Sequence, residues 1–307
     1  MEQYWIWLNG EWVRRNEAKI SMLDRGFKLG DTVYDTLRTF NGKMFKVEEH
    51  LERFERTLKY VRIDIGMGMG ELGRLLHETV AKNESIRKAA NDDYMISTIV
   101  TRGIGGRIQD ANKPTISIFI DPIDFVRYAP AFARGGSGVI PKARAMSSQQ
   151  VDPKAKNFSR LNFVMGDLET VDVDPEAFPI LLDMEGNVAE AFGANFFVVT
   201  DGVVRTPTDE ALLQGVSRQT VMELCEQMGI PTSEEKLQPY DVYTADEAFI
   251  SSTPYCILPI GVVDKRRLNE KAPGPITTKI LAAWGELVGL DIIDQANERA
   301  KVLSKGS

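Results

Sequence analysis

His50 and His77 are the chain's two histidines, which leaves a His-based zinc site or a Ser-His-Asp triad little to draw on. His77 lies in LLHETV, a helical pattern that predicts a partly buried structural residue. Carboxylates are plentiful, so no single pair stands out as an acid/base couple. The glycines at 66, 68 and 70 fail the G-x-G-x-x-G spacing and follow no apolar strand, and GGSG at 135–138 is not a G-x-S-x-G elbow. Composition and motif spacing alone leave a soluble two-domain α/β enzyme or binding protein. Two lysines, Lys154 and Lys156, share the segment DPKAKNFSRLNF; read alone, each is a solvated amine. Gly215-Val216-Ser217 opens a helix, and backbone N–H groups at a helix start suit a phosphate as well as an ordinary cap. Glu190 reads as a strand-end glutamate and Arg53 as a surface residue off an apolar helix stripe. Tyr34, Thr36 and Arg38 alternate along a strand and are expected to share one face.

The elements that must position these groups are partly legible. Asn9-Gly10 and Asn41-Gly42 each join two apolar runs and tolerate the positive φ of a type I′ hairpin turn. Helices are expected at about 48–62 and 70–83, and strands at 94–101 and 115–120, with the Gly-rich loop RGIGGRIQDANKP between those strands. Prolines and glycines cluster at 122–137 and predict a domain boundary: a small domain over 1–122, a linker over 123–137 and a large domain over 138–307. In the second part, PILLD, NFFVVT, EAFISS and CILPIGVV read as strands, Asp201-Gly202 as a hairpin turn, and VSRQTVMELCEQMG and 275–288 as helices.

Bulk properties exclude several classes. The 307 residues are too many for one small core and fit two domains. A formal net charge of −7 gives no electrostatic reason to expect nucleic-acid binding. No apolar run approaches the roughly 20 residues that span a bilayer. The segment MEQYWIWLNGEW does not read as a signal peptide, and Cys225 and Cys256 form no C-x-x-C, so a reduced cytoplasm is the expected setting.

Four separated segments, in order and in register, resemble the class IV (fold type IV) pyridoxal-phosphate-dependent aminotransferases. They are DRGFKLGDTVYDTLRTFNGKMFKVEEHLERF (24–54), DPKAKNFSRLNF (152–163), GNVAEAFGANFFVV (186–199) and LLQGVSRQTV (212–221). The resemblance covers nearly the whole chain. It implies an α+β or α/β fold with a smaller N-terminal and a larger C-terminal domain, pyridoxal 5′-phosphate as cofactor, and at least a homodimer. It also implies residue roles. Lys156, at the family's spacing from the strand ending at Asp183 and directly before Asn157-Phe158, carries the cofactor as a Schiff base, while Lys154 stays a solvated amine. Glu190 sits beside the pyridine nitrogen and keeps it protonated; Arg53, Val216, Ser217 and Thr253 hold the phosphate. The chain departs from the family pattern at Ala191-Phe192, where small residues are usual, and at Pro254-Tyr255 after Thr253.

For the substrate, the resemblance points to the D-amino acid and (R)-amine branches. Ile96 stands where the branched-chain branch has an arginine after Tyr94, and Arg107 stands at the place of a carboxylate-pairing loop arginine, with Gln109 where a histidine is usual. Arg38 is a second candidate for the carboxylate, and Leu29, Tyr94, Ile96, Phe158 and Tyr255 are expected to form an apolar wall. The expectation is an amino donor that is a D-amino acid or (R)-primary amine and an acceptor that is a 2-oxo acid. A branched-chain L-amino acid aminotransferase is the alternative, a lyase a lesser one, and a silent cofactor-binding homologue the alternative of another class.

Overall fold

The structure is a computed structural model that describes residues 4–111, 113–268 and 271–304. The chain divides into two compact units, one of Met1–Ile123 with Ala155–Ser159, the other of Asp124–Lys154 with Arg160–Ser307.

The first unit begins with β1 (Trp5–Leu8) and β2 (Glu11–Arg14), joined by Asn9 and Gly10, both at positive φ. There follow α1 (Arg25–Leu29), β3 (Thr32–Phe40), β4 (Lys43–Met44), α2 (Val47–Val61), α3 (Met69–Ala90), β5 (Tyr94–Thr101) and β6 (Thr115–Pro122). Asn41 and Gly42, again both at positive φ, close the β3–β4 hairpin, and Asp93 pins that turn by accepting from both of their N–H groups. Among the described residues the strands form an antiparallel sheet in the order β2-β1-β6-β5-β3-β4. One sheet face packs on the helices: Val33, Leu37, Tyr94, Ile96 and Val100 form one core with Phe54, Leu58, Leu72 and Leu76. The residue register therefore decides which side chains reach the opposite face. Tyr34, Thr36 and Arg38 lie opposite Ile99, Ser97 and Met95, and the Thr36 and Ser97 hydroxyls are 2.9 Å apart.

β4 covers only the far end of β3. Nearer its start, the same edge is covered by the 155–159 segment, with Tyr34 N–H donating to the Lys156 carbonyl (3.0 Å) and Phe158 N–H to that of Thr32 (3.1 Å). These bonds make the segment part of the first unit although it is distant in sequence.

The second unit contains α4 (Phe125–Arg134), β7 (Gly136–Val139), α5 (Leu161–Val171), β8 (Phe178–Leu182), β9 (Val188–Ala191), β10 (Asn195–Thr200), β11 (Val203–Thr206), α6 (Val216–Gln227), β12 (Thr232–Glu234), α7 (Pro239–Tyr243), β13 (Glu247–Ser252), β14 (Cys256–Val263), β15 (Arg266–Arg267), α8 (Pro275–Val288) and α9 (Ile292–Ser304). The sheet runs β12-β11-β10-β13-β14-β7-β8-β9, mixed in direction, with β15 on β14. It curls so that β9 returns beside β10, where Ala191 N–H donates to Ala194 O at 2.9 Å. Residues 123–137, expected as a linker, instead form α4 and the start of β7. Asp124 caps α4 at Arg127 N–H, and Phe125, Ala129 and Phe132 bury its inner face, which offsets the backbone bond lost at Pro130.

Candidate active site

In the first unit the candidate residues gather around Lys156. Its N–H donates to Thr57 Oγ1 of α2 (3.4 Å), and its Nζ lies over the Tyr34 ring, 4.6 Å from the centroid. Phe158 stacks on Tyr34 with centroids 3.9 Å apart and planes at 12°. The lysine amine thus stands over Tyr34, the ring on which Phe158 stacks at the edge of β3. Lys154, in the second unit, lies 3.5 Å from Asp152 and donates to the Asp209 carbonyl (3.4 Å).

Beneath Tyr34 the next residue, Asp35, points to the helix side of the sheet and is buried. Its carboxylate accepts from Arg53 Nε (2.9 Å), Arg53 Nη2 (2.9 Å) and His50 Nδ1 (2.6 Å). Burial opposes its ionisation, but the Arg53 charge and the His50 and Arg53 hydrogen bonds outweigh it and hold the carboxyl far below the usual range. His50 moves the other way: burial, with the Arg53 and Lys156 charges, outweighs Asp35 and lowers its pKa, so the ring stays neutral and Nδ1–H faces the carboxylate. Arg53 was expected at the surface by its place on α2. It is buried instead, because the inner face of α2 is rotated to include Val47, His50, Arg53, Phe54, Thr57 and Leu58. His77, expected to be partly buried, is exposed on α3.

Several substrate-side expectations need correction. Tyr94 and Ile96 lie in the helix-facing core, on the sheet face opposite to Tyr34, and the Tyr94 hydroxyl donates to the Asn83 carbonyl of α3 at 2.9 Å. The residues of β5 that share the Tyr34 face are Met95, Ser97 and Ile99. Leu29 is exposed on α1. Arg38 does share the Tyr34 face, but it is buried with Nε donating to the Thr39 carbonyl (3.1 Å) and its guanidinium 4.0 Å from the Phe40 centroid. Arg107 is 80% exposed and pairs with Asp110 at 3.2 Å.

In the second unit a cradle forms where β9, β10, β13 and the start of α6 meet. Glu190 on β9 is buried and accepts from Leu213 N–H at 3.1 Å. Asn195, opening β10, donates to the Leu213 carbonyl at 2.8 Å, so the same residue of the loop before α6 is held from both sides. Gly215 caps α6 without a side chain, and a Cβ there would collide with the Asn195 Oδ1. The N–H groups of Val216 and Ser217 open a helix of 12 residues, where no intrahelical acceptor exists. Ser252 donates to Gly193 O at 2.6 Å and ties the turn holding Thr253 to the turn after β9. Tyr255, just beyond, is buried against Tyr128.

These groups fit a flat anionic cofactor bearing an aldehyde. In the first unit Lys156 has an amine able to meet an aldehyde; in the second, Glu190 is a buried carboxylate able to face a ring N–H, and α6 opens on helix-start N–H groups of the kind that bind phosphate. Sequence reasoning missed Asp35, His50, Thr57 and Ser97. Their signal was an aspartate at an inward position of β3 and a His-Arg-Thr set at helical spacing.

The sequence model of the family described as "Amino-transferase class IV" matches residues 32–263. A putative branched-chain-amino-acid aminotransferase of Methanocaldococcus jannaschii is 35% identical over 90% of this chain and 93% of its own. A D-alanine aminotransferase of Bacillus licheniformis is 28% identical over 91% of this chain and 95% of its own. Among solved structures, the branched-chain aminotransferase of Thermoproteus uzoniensis with norvaline superposes with a TM-score of 0.84 at 27% identity, covering 94% of this chain and 96% of that one. That of Escherichia coli gives 0.82 at 26%, covering 94% and 95%.

Proposed function

Because this chain belongs to the class IV aminotransferases, fold type IV enzymes that use pyridoxal 5′-phosphate, we propose that it moves an amino group from a D-amino acid or (R)-primary amine to a 2-oxo acid. When bound, the cofactor supplies an aldehyde carbon that exchanges amines and a pyridinium ring that takes up the electron pair left at the substrate carbon. Lys156 Nζ anchors it and is the base that takes the proton from the carbon bearing the amine. Glu190 holds the proton on the ring nitrogen, since a carboxylate beside that nitrogen favours its charged form. The Val216 and Ser217 N–H groups, with Thr253 and Arg53, bind the phosphate. The Asp35–His50–Arg53 cluster orients Arg53 from below.

The observation that carries the donor reading is the Tyr34 ring beneath the lysine amine, itself stacked on Phe158. It favours an apolar substituent on the reacting carbon. The exposed pair of Arg107 with Asp110 is weak in water, so a loop arginine of this kind is able to serve a carboxylate and withdraw for an amine. The D-alanine aminotransferase relatives support the same hand. A second reading, branched-chain L-amino acids, is favoured by the 35%-identical relative and by the position of Ile96, whose side chain faces the helices and so no longer counts against it. Half-reactions on the cofactor-loaded protein decide. Loss of the visible band is expected to be rapid with D-alanine or (R)-1-phenylethylamine and slow with L-leucine. Rapid loss with L-leucine alone selects the second reading, and a band that no donor bleaches sinks both.

We also propose that two copies associate through α5. Leu161, Val164, Met165, Leu168 and Val171 form an exposed stripe at helical spacing along it. The expected elution is at twice the 34.3 kDa chain mass, and Leu168→Glu is expected to shift it toward one chain. A wild-type protein that elutes as a single chain at micromolar concentration overturns this.

A further inference from the structure

The segment DRGFKLGD (24–31) holds two ionised side chains, Arg25 and Asp31, outside the groups assigned to the cofactor, and Arg102 opens the Gly-rich loop after β5. All three belong to the first unit, and the structure brings them together. Asp31 Oδ2 accepts from Arg25 Nε at 2.9 Å and from Arg102 Nε at 3.0 Å, and the three side chains are mostly buried. Burial opposes ionisation of Asp31, but the hydrogen bonds and charges of Arg102 and Arg25 outweigh it and hold the carboxyl below the usual range. Each arginine then reaches a different part of the unit. Arg25 donates from its N–H to the Gly103 carbonyl (2.9 Å) and from Nη1 to that of Gly106 (3.2 Å), which fixes the start of the loop. Arg102 donates from Nη1 to the Arg62 carbonyl (2.9 Å) and from Nη2 to that of Val61 (2.8 Å), at the C-terminal end of α2. The chain neighbours of Asp31 hold something else. Gly30 O accepts from Ser159 Oγ (3.2 Å), Thr32 O accepts from Phe158 N–H (3.1 Å), and Tyr34 N–H donates to Lys156 O (3.0 Å). Residues 30, 32 and 34 therefore carry the lysine segment, while residue 31 between them carries the loop and α2.

We propose that Asp31 is a positioning residue for Lys156: clasped by Arg25 and Arg102, its carboxylate fixes the start of β3 against the Gly-rich loop and α2, and so sets where the lysine amine lies over Tyr34. Two guanidinium groups meet at one carboxylate oxygen, so the negative charge is what keeps them together. Asparagine at this place keeps an acceptor oxygen but strands two mostly buried cations without a counter-charge, which drives the loop and α1 apart. The displacement reaches the lysine segment through the hydrogen bonds of Gly30, Thr32 and Tyr34. Proton transfer is steep in placement, a shift on the order of 1 Å costing about a hundredfold. The assignment rests on Lys156 as the group that moves the proton, and not on the identity of the amino donor.

The test combines amide hydrogen exchange with half-reaction kinetics on the cofactor-loaded protein. Asp31→Asn is expected to speed exchange at the Tyr34 and Phe158 N–H groups by about tenfold, while the β5–β6 pair stays protected. The donor is whichever of D-alanine and L-leucine bleaches the visible band faster in the wild type. With it, the limiting rate of Asp31→Asn is expected to fall about ten- to a hundredfold, the half-saturating concentration to change far less, and the visible band to remain. Arg102→Gln is the milder second variant, should Asp31→Asn fail to fold. Arg102 acts on Asp31, Val61 and Arg62, yet exchange at Phe158 is expected to rise in this variant too. Asp31→Glu, which keeps the charge on a longer arm, is expected to recover part of both losses. A Phe158 N–H that stays protected in the folded variants, or one that loosens with an unchanged limiting rate, overturns the assignment. A wild-type protein that forms no visible band with pyridoxal 5′-phosphate instead overturns Lys156 as the anchoring lysine, so the two failures are distinct.

Discussion

Lys156→Ala is expected to give a folded protein without the visible band, with transamination slower by roughly 10³–10⁴-fold, the upper part of the range for loss of a positioned proton-transfer group. The fold is expected to survive because the bonds that hold this segment to β3 and α2 are made by the Lys156 backbone, with its carbonyl accepting from Tyr34 and its N–H donating to Thr57. Alanine keeps both. The substitution removes the side-chain amine that lies over Tyr34. Added methylamine is expected to restore a fraction of the rate, since it replaces the base without replacing the tether. Lys154→Ala is the paired control. Its amine is engaged with Asp152 and the Asp209 carbonyl, so near wild-type colour and rate are expected. Absorbance spectra and single-turnover rates of the two variants check both statements. A colourless Lys154→Ala beside a coloured, active Lys156→Ala would reverse the assignment.

The choice between these lysines was legible in the sequence only through segment order, whereas much of the fold was legible from local rules. The Asn-Gly hairpins declared themselves because both turns need two residues at positive φ. The strands β5 and β6 followed from their β-branched content. Local rules failed where the deciding partner is remote. Tyr94 and Ile96 were expected at the substrate, but which face of β5 they occupy depends on its register with β3, set some 60 residues away in the chain. Helix α3 runs on to Ala90 because Arg87 pairs with Glu84 after its apolar stripe has ended. Helix α5 hid for the opposite reason, since its apolar side chains face outward. The Asp35–His50–Arg53 cluster shows the same limit within the candidate site. Each member looks like a surface residue until strand and helix phases are known, and only then do three polar groups fall on one buried spot.

That cluster carries the second large prediction. Asp35→Asn is expected to destabilise the protein by about 3–5 kcal/mol at neutral pH, the cost of leaving a buried cation without its counter-charge. Asparagine keeps one acceptor oxygen, but its amide turns N–H donors toward a guanidinium and an imidazole N–H that also donate. The pH dependence separates charge from shape. Wild-type Asp35 has its folded pKa far below the ordinary value, so below about pH 4 the unfolded chain binds a proton that the folded chain refuses. The stabilisation is complete above that pH and is lost progressively as pH falls toward the folded value. His50 adds to the same slope at higher pH. Its folded pKa is lowered, so below about pH 6.5 the unfolded ring takes a proton before the buried one does, and stability again falls with acid. Denaturant midpoints measured from pH 8 to pH 3 are therefore expected to fall in two stages for the wild type, with the lower stage smaller in Asp35→Asn, where Asp31 and Asp93, whose carboxyls are also held below the usual range, keep part of it. Replacing the ion pair together, as Asp35→Leu with Arg53→Met, is expected to recover much of the lost stability while still weakening phosphate binding, because apolar groups of similar volume leave no charge stranded. If Asp35→Asn unfolds at the wild-type midpoint at pH 7, the ion pair does not hold α2 to β3, and the orienting role given to Asp35 beneath Arg53 falls with it.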